Sequence, residues 1–333
     1  GDHAGALEHT ERALEIFAAQ AEPDLLSMAA AYNNLGVIGS ELGRLDDAER
    51  SLRRAIELTE EALGPEHRAL VSPVNGLGKV LLQQRRDDEA LPLLRRAVEL
   101  QAVDGQDRLD GAAALNNLGM LLYRRGELAE AARYLERTLA LLERTAGPEH
   151  PDVARALRNL GILHHRQGRL SLAREHLRRS VDVLEGVAGP EHPELASSLA
   201  ALAMVELDEQ QLESAHARLT RALEIFAARL GHDHAKTVAT RADLAEVLLA
   251  RGQLEPAWAL ADEVRTQAST GSRSEARARF VLARARWTDP SARAAAVADA
   301  RRALEIYAQD SSQALEHARV VAWLDAHPLP DGT

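Results

Sequence analysis

Histidine stands beside a carboxylate at four matching places in this chain. "GPEH" occupies residues 64–67, 147–150 and 189–192, and a looser copy, "GHDH", occupies 231–234. Imidazole with carboxylate is the chemistry of metal ligation and of general-base catalysis. The spacing argues for a different origin. Gly147 to Gly189 is 42 residues and Gly189 to Gly231 is 42 again. Copies so far apart lie about one structural unit from each other, too far to share one ion at ligand distances of about 2 Å. The only adjacent pair, His164 and His165, would diverge by about 100° on a helix and would not chelate together. The expectation is therefore no metal site and no cofactor. The stretch reads as a junction instead. Glycine ends a helix, proline fixes φ and blocks its continuation, and the acid lies near the next N-terminus, where negative charge is favoured.

Other signatures of chemistry are missing. The chain has no GxxxxGK[ST] loop, no GxGxxG, no HExxH and no GxSxG elbow. Cysteine is absent, which excludes disulfides, thiolate zinc sites and cysteine nucleophiles and suits a reducing compartment. The carboxylates recur at repeat spacing on polar helix faces. We read the chain as a non-enzyme.

The elements behind these junctions show as a period of 41 to 42 residues. A small residue recurs at Gly36, Gly78, Gly119, Gly161, Ala203 and Ala245, each preceded by leucine. Twelve residues on stands alanine: Ala48, Ala90, Ala131, Ala173, Ala215 and Ala257. Stretches such as "ELGRLDDA" (41–48) and "RRGELAEA" (124–131) separate the halves. Apolar residues at i, i+3, i+4 and i+7 in both halves, such as Leu52, Ala55, Ile56 and Leu63, predict two amphipathic helices per unit. Gly43, Gly126, Gly168 and Gly252 suit the left-handed end of the first helix. Arg86 and Gln211 stand where the same turn is expected in units two and five, and Pro92 falls within a second helix, where it can kink the chain. One hairpin cannot bury its stripe alone, so the units must stack.

The L-G…A…A spacing resembles the tetratricopeptide repeat. The longer unit, with "NNLG" or "RNLG" in the first helix, "RALEIF" in the second and "GPEHP" between units, resembles the kinesin light chain subtype, in a bacterial setting. That resemblance implies an all-α, right-handed solenoid of stacked hairpins. The divisions expected are a partial repeat (1–21), six units (22–63, 64–104, 105–146, 147–188, 189–230, 231–268), a shortened repeat (269–309) and a closing helix with tail (310–333). The partial repeat keeps Ala6 and Ala13 at its two small positions but lacks a first helix, which we read as a cut from a longer parent.

In the resembling family the groove lined by first helices holds extended peptides. Three residues before each Gly/Ala position stand Asn33, Asn75, Asn116 and Arg158, then Ala200 and Ala242. An asparagine side chain both donates and accepts, so a row of them can pair with a peptide backbone. Lys79, Tyr123, Arg124, Arg155, His165 and Arg166 occupy neighbouring groove positions, and arginines favour carboxylates by bidentate pairing. The partner expected is a protein or peptide, with an acidic segment as the favoured ligand. Two alternatives stay open: the second asparagines, Asn34, Asn117 and Asn159, can tie hairpins together, and the arginines can pair with acids on adjacent helices. Ala200, Met204, Leu207, Asp208, Asp243 and Glu246 make the later units more apolar or acidic there.

A net charge of −11 argues against nucleic acid or an anionic membrane as partner. Of 40 basic residues only Lys79 and Lys236 are lysine. No apolar run approaches the ~20 residues that span a bilayer, and Glu8, Glu11, Arg12 and Glu15 interrupt any signal core. A cytoplasmic interaction scaffold is expected. The alternative is the sensor array of a larger signalling protein with a kinase, nucleotide-binding switch or caspase-like protease. An open end at the half-repeat invites end-to-end association.

Overall fold

Small residues at fixed spacing, a stripe of leucine and alanine, and few aromatics make close helix pairs the natural way to bury this chain. The computed structural model describes residues 3–18, 24–102, 109–310 and 313–328. Among the described residues it is all α-helical, apart from two short 3-10 turns, with no strand. The helices are α1 (His3–Ala18), α2 (Leu25–Glu41), α3 (Leu45–Leu63), α4 (Val71–Gln83), α5 (Asp87–Ala102), α6 (Leu109–Arg124), α7 (Leu128–Ala146) and α8 (Pro151–Arg166). They continue as α9 (Leu170–Val187), α10 (Pro193–Asp208), α11 (Leu212–Leu230), α12 (Ala235–Ala250), α13 (Leu254–Gln267), α14 (Arg273–Arg286), α15 (Arg293–Tyr307) and α16 (Ala314–Ala326). Two compact units result, residues 1–122 with 129–148, and residues 123–128 with 149–333.

In the first unit α2 packs on α3 and α4 on α5, and α4 also touches both α2 and α3. The second unit repeats the scheme with α8/α9, α10/α11, α12/α13 and α14/α15, its first helices packing side by side in the order α8, α10, α12, α14. The small positions are what allow the close pairing. A Cβ added at Gly78 would lie 2.6 Å from Cδ2 and 2.8 Å from Cγ of Leu94, and one added at Gly119 would lie 2.9 Å from Leu135. Leu94 and Leu135 are fully buried, as are Ala48, Ala90, Ala131, Ala173, Ala215 and Ala257. Each such leucine is worth about 1.5–3 kcal/mol of burial, and it is available only because its partner helix carries no side chain at the contact.

Turn chemistry follows the glycines. Gly43, Gly126, Gly168 and Gly252 have φ of 74°, 81°, 72° and 75°, left-handed values that cost glycine nothing. In the two hairpins without the glycine, the left-handed residues are Arg85 and Gln210, with φ of 62° and 61°. That corrects the expected positions, Arg86 and Gln211, by one residue. The left-handed site falls seven residues after the small position in each of the six hairpins from α2/α3 to α12/α13, because the first helix there runs two turns beyond its closest approach. Helix α5 runs through Pro92. The connector at Gly105, the side chain of Ala13 and the tail at Pro330 lie outside the described residues.

Candidate functional site

The recurring histidine is a structural group. His150, His192 and His234 are the N-caps of α8, α10 and α12, and their Nδ1 atoms accept the backbone N–H of Asp152, Glu194 and Lys236 at 3.1, 3.2 and 3.2 Å. His67 does the same for Ala69 at the 3-10 turn before α4, at 3.1 Å. Imidazole nitrogen thus takes the place of the usual Ser, Thr, Asp or Asn oxygen in satisfying an orphan helix amide. The acid of the motif is not the capping group. Gly64, Gly147, Gly189 and Gly231 have φ between 85° and 94° and end the preceding helices, as expected of this junction. Among the described residues no three His, Asp or Glu side chains group so as to hold a metal ion.

The predicted groove residues fall on the first helices and remain partly or fully exposed: Asn33 on α2, Asn75 and Lys79 on α4, Asn116, Tyr123 and Arg124 on α6, and Arg155, Arg158, His165 and Arg166 on α8. In the first unit the asparagines are linked from helix to helix. Asn117 Nδ2 donates to Asn75 Oδ1 at 2.9 Å, and Ser72 Oγ donates to Asn33 Oδ1 at 3.4 Å. Asn117 therefore ties α6 to α4 through Asn75, and two groove asparagines, Asn33 and Asn75, already spend an acceptor on a neighbouring helix. Lys79 is exposed on the same face.

In the second unit most of the predicted cations are met by their own chain. Arg158 pairs with Glu194 on α10, and Lys236 lies 3.6 Å from the same carboxylate. Burial would raise the pKa of Glu194, but Arg158 and Lys236 outweigh it and hold the group below the usual glutamate value. Arg155 reaches Asp152 one turn earlier at 2.9 Å. Arg166 donates to the Tyr123 carbonyl at 2.6 Å and lies 4.9 Å from the centre of the Tyr123 ring, while burial pushes the Tyr123 hydroxyl up. His165 Nε2 lies 2.8 Å from Asp208 Oδ2.

Asp208 is a meeting point. Arg319 of α16 pairs with its other oxygen at 2.9 Å, so that despite burial, which acts to raise it, hydrogen bonds and charge from His165 and Arg319 keep the carboxyl below its ordinary range. These groups border a cavity of about 250 Å³ within the second unit, among α8, α10, α12, α14 and α16, with Tyr123, Ile162, Ala200 and Met204 as its less polar wall and Arg166, Asp208, Asp243, Arg273, Arg277, Glu316 and Arg319 around it. The expected acidity of the later units is offset: Asp243 pairs with Arg277, and Glu246 with Arg284. Leu207 turns into the core instead of the cavity.

Sequence reasoning missed Arg273, Arg277, Glu316 and Arg319. Arginines 273 and 277 stand four apart on α14, a spacing that puts them on one face. Nothing in the repeat pattern predicts that α16 would come back across α10.

The arrangement defines a class: an array of helical hairpins whose first helices present polar and charged side chains on one face. The family model for the tetratricopeptide repeat matches residues 1–61, 27–102, 111–186 and 172–228, and the chain belongs to that family. Among solved structures it is similar to the nearly identical TPR-like repeats of a Podosopora anserina protein described as kinesin light chain, at 26% identity over 61% of this chain and 100% of that one, with a TM-score of 0.51. BtubC (BKLC) from P. vanneervenii matches at 19% identity over 74% of this chain and 91% of that one, TM-score 0.52. The apo form of the quorum sensor NprR from B. thuringiensis matches at 13% identity over 92% and 82%, TM-score 0.65. No curated protein sequence matches the chain. No helix of the described residues is long and apolar enough to cross a membrane.

Proposed function

We propose that this chain is a protein-interaction scaffold that takes a partner segment along the face lined by its first helices. The observation that carries the reading is the selective exposure of that face: Asn33, Asn75, Lys79, Asn116 and Arg124 stay accessible while the leucines before each small position on α4, α6 and α8 (Leu77, Leu118 and Leu160) are buried. Side chains that donate and accept, held at one repeat spacing, suit main-chain recognition of an extended segment. The partner we favour is acidic. Exposed Lys79 supports this, whereas Arg155, Arg158 and His165 contribute less because Asp152, Glu194 and Asp208 meet them. The kinesin-light-chain-like subtype is supported by the 42-residue period with its GPEH junctions and by the 26% identity with the Podosopora repeats. We keep the division into six units between residues 22 and 268, and a cytoplasmic setting, as parts of the same proposal.

The test is capture from the source lysate, comparing the natural chain with the triple variant Asn75→Ala, Lys79→Glu, Arg124→Glu at equal helicity. A partner held by the natural chain and lost by the variant is the expected result. A partner retained equally by both would remove the first-helix face from consideration. An immobilised peptide array should show enrichment of Asp and Glu over Lys and Arg among bound sequences, and the reverse enrichment would sink the acidic preference.

A further inference from the structure

The second unit's face is not open along its whole length, because α16 lies across it. Four residues of this helix do the work: Glu316, Arg319, Val320 and Trp323. They stand at i, i+3, i+4 and i+7 and so form one stripe. Glu316 takes Arg273 at 2.6 Å and lies 3.8 Å from Arg277. Arg319 takes Asp208 at 2.9 Å, a residue 111 positions earlier on α10. Val320 is fully buried, and Trp323 packs edge-on against Phe280 and Trp287, with ring centres 6.1 and 5.4 Å away. The helix thus lays an acid over basic wall residues and, one turn on, a base over an acidic one.

Its two halves are held differently. The C-terminal half joins the core formed by α14 and α15 through Val320, Trp323 and Leu324. The N-terminal half is held by partly exposed ion pairs, and Leu315 remains exposed. Cavities of about 250 and 310 Å³ flank the helix and share Met204, Arg277, Glu316 and Arg319 in their walls. Val320 is the one residue of α16 that is fully buried, against nine buried residues on α14. A helix so sparsely packed is drawn from the low-stability end of a structure.

We infer that α16 is a resident ligand of the second unit's face, and that this face fits a partner helix carrying an acid and a base one turn apart in the order of Glu316 and Arg319. The inference rests on the reading of the first-helix face as a binding surface and adds the kind of partner and the competitor it must displace. Binding in trans is suppressed in the resting chain because α16 is tethered, which gives it an effective concentration in the millimolar range, of order 1 mM. Charge order supplies selectivity: a segment with the two charges reversed would set acid on Asp208 and base on Arg273 and Arg277.

The test uses the full chain and a synthetic peptide of residues 313–327. In the variant Glu316→Lys, Arg319→Glu the resident helix is mismatched with its walls while Val320 and Trp323 remain. This variant should bind the natural peptide about tenfold or more tighter than the natural chain does, and the charge-reversed peptide should bind to neither. Amide exchange over residues 315–320 should rise in the variant while that of α14 stays unchanged. Peptide binding equal in the two chains, binding of both peptides alike, or unchanged exchange over 315–320 would each overturn the inference. Residues 75, 79 and 124 are untouched in this experiment, so it can fail while the capture experiment succeeds, and the reverse.

Discussion

Gly78→Ala and Gly186→Ala are the same chemical change in two helices, and the structure assigns them opposite signs. In α4 the new methyl would meet Leu94 Cδ2 at 2.6 Å and Cγ at 2.8 Å, whereas at Gly186 in α9 it would meet nothing within 4 Å. Carbon atoms in contact settle at about 3.5–4.0 Å, so the α4/α5 pair must open by about 1 Å or Leu94 must leave its rotamer. Leu94 is fully buried, and close-packed interiors offer few voids to swing into. Such overpacking costs about 1–3 kcal/mol, against about 1 kcal/mol gained from replacing glycine in a helix. The net expectation for Gly78→Ala is a loss of about 0–2 kcal/mol, and for Gly186→Ala, near a helix end, a gain of about 0.5–1 kcal/mol. Adding Leu94→Ala tests the mechanism. Alone it should cost about 2–5 kcal/mol, but in the Gly78→Ala background the new methyl partly fills the void, so the double variant should be more stable than the sum of the singles. Because the two positions lie in different compact units, each is read by urea titration of helicity together with amide exchange of its own hairpin. If Gly78→Ala proves as stabilising as Gly186→Ala, or if the two changes at 78 and 94 simply add, close helix approach at the small position is not what the glycine provides.

Two further outcomes follow from the capping and the carboxylates. His192→Ala should cost about 1 kcal/mol through loss of the cap on the Glu194 amide, while His192→Asn keeps most of it; zinc or nickel should leave the urea midpoint of the natural chain unchanged, and a metal-dependent rise abolished by the alanine change would restore the metal reading. Glu275 is buried, which would raise its pKa, but hydrogen bonds from Arg279 and the Gly271 amide hold it below the usual glutamate value. A carboxyl depressed in the folded state stabilises fully above its unfolded pKa of about 4.3 and loses that contribution as pH falls through the folded value. The natural chain should therefore lose more stability than Glu275→Gln between about pH 5 and pH 3 in urea titrations, and parallel curves would refute the assignment.

The legible part of the molecule is whatever one helix turn or one hairpin turn decides. The period, the small positions and the glycine turns read correctly because a 3.6-residue repeat fixes which side chains meet within a hairpin. The turns at Arg85 and Gln210 obey the distance from the small position; residue type does not place them, because arginine stands at both 85 and 86 and glutamine at both 210 and 211. The histidines were read correctly as junction residues, but not as caps, since imidazole is an uncommon cap and the acid beside it is the more obvious candidate. The groove candidates landed on the first helices, but their pairing did not follow from sequence: Arg158 with Glu194 and His165 with Asp208 depend on which side chains adjacent helices bring together.

The sequence by itself determined that this chain is an array of helical hairpins, where the glycine turns fall, and which residues allow helices to touch. Those properties are local, and the chain repeats them until one physical solution remains. Only the tertiary structure decided which charges of the first-helix face are already answered and that α16 returns to Asp208 across 111 residues. Contacts at that separation carry no periodic signal. They depend on the accumulated twist from one hairpin to the next, and no single stretch of sequence encodes that sum.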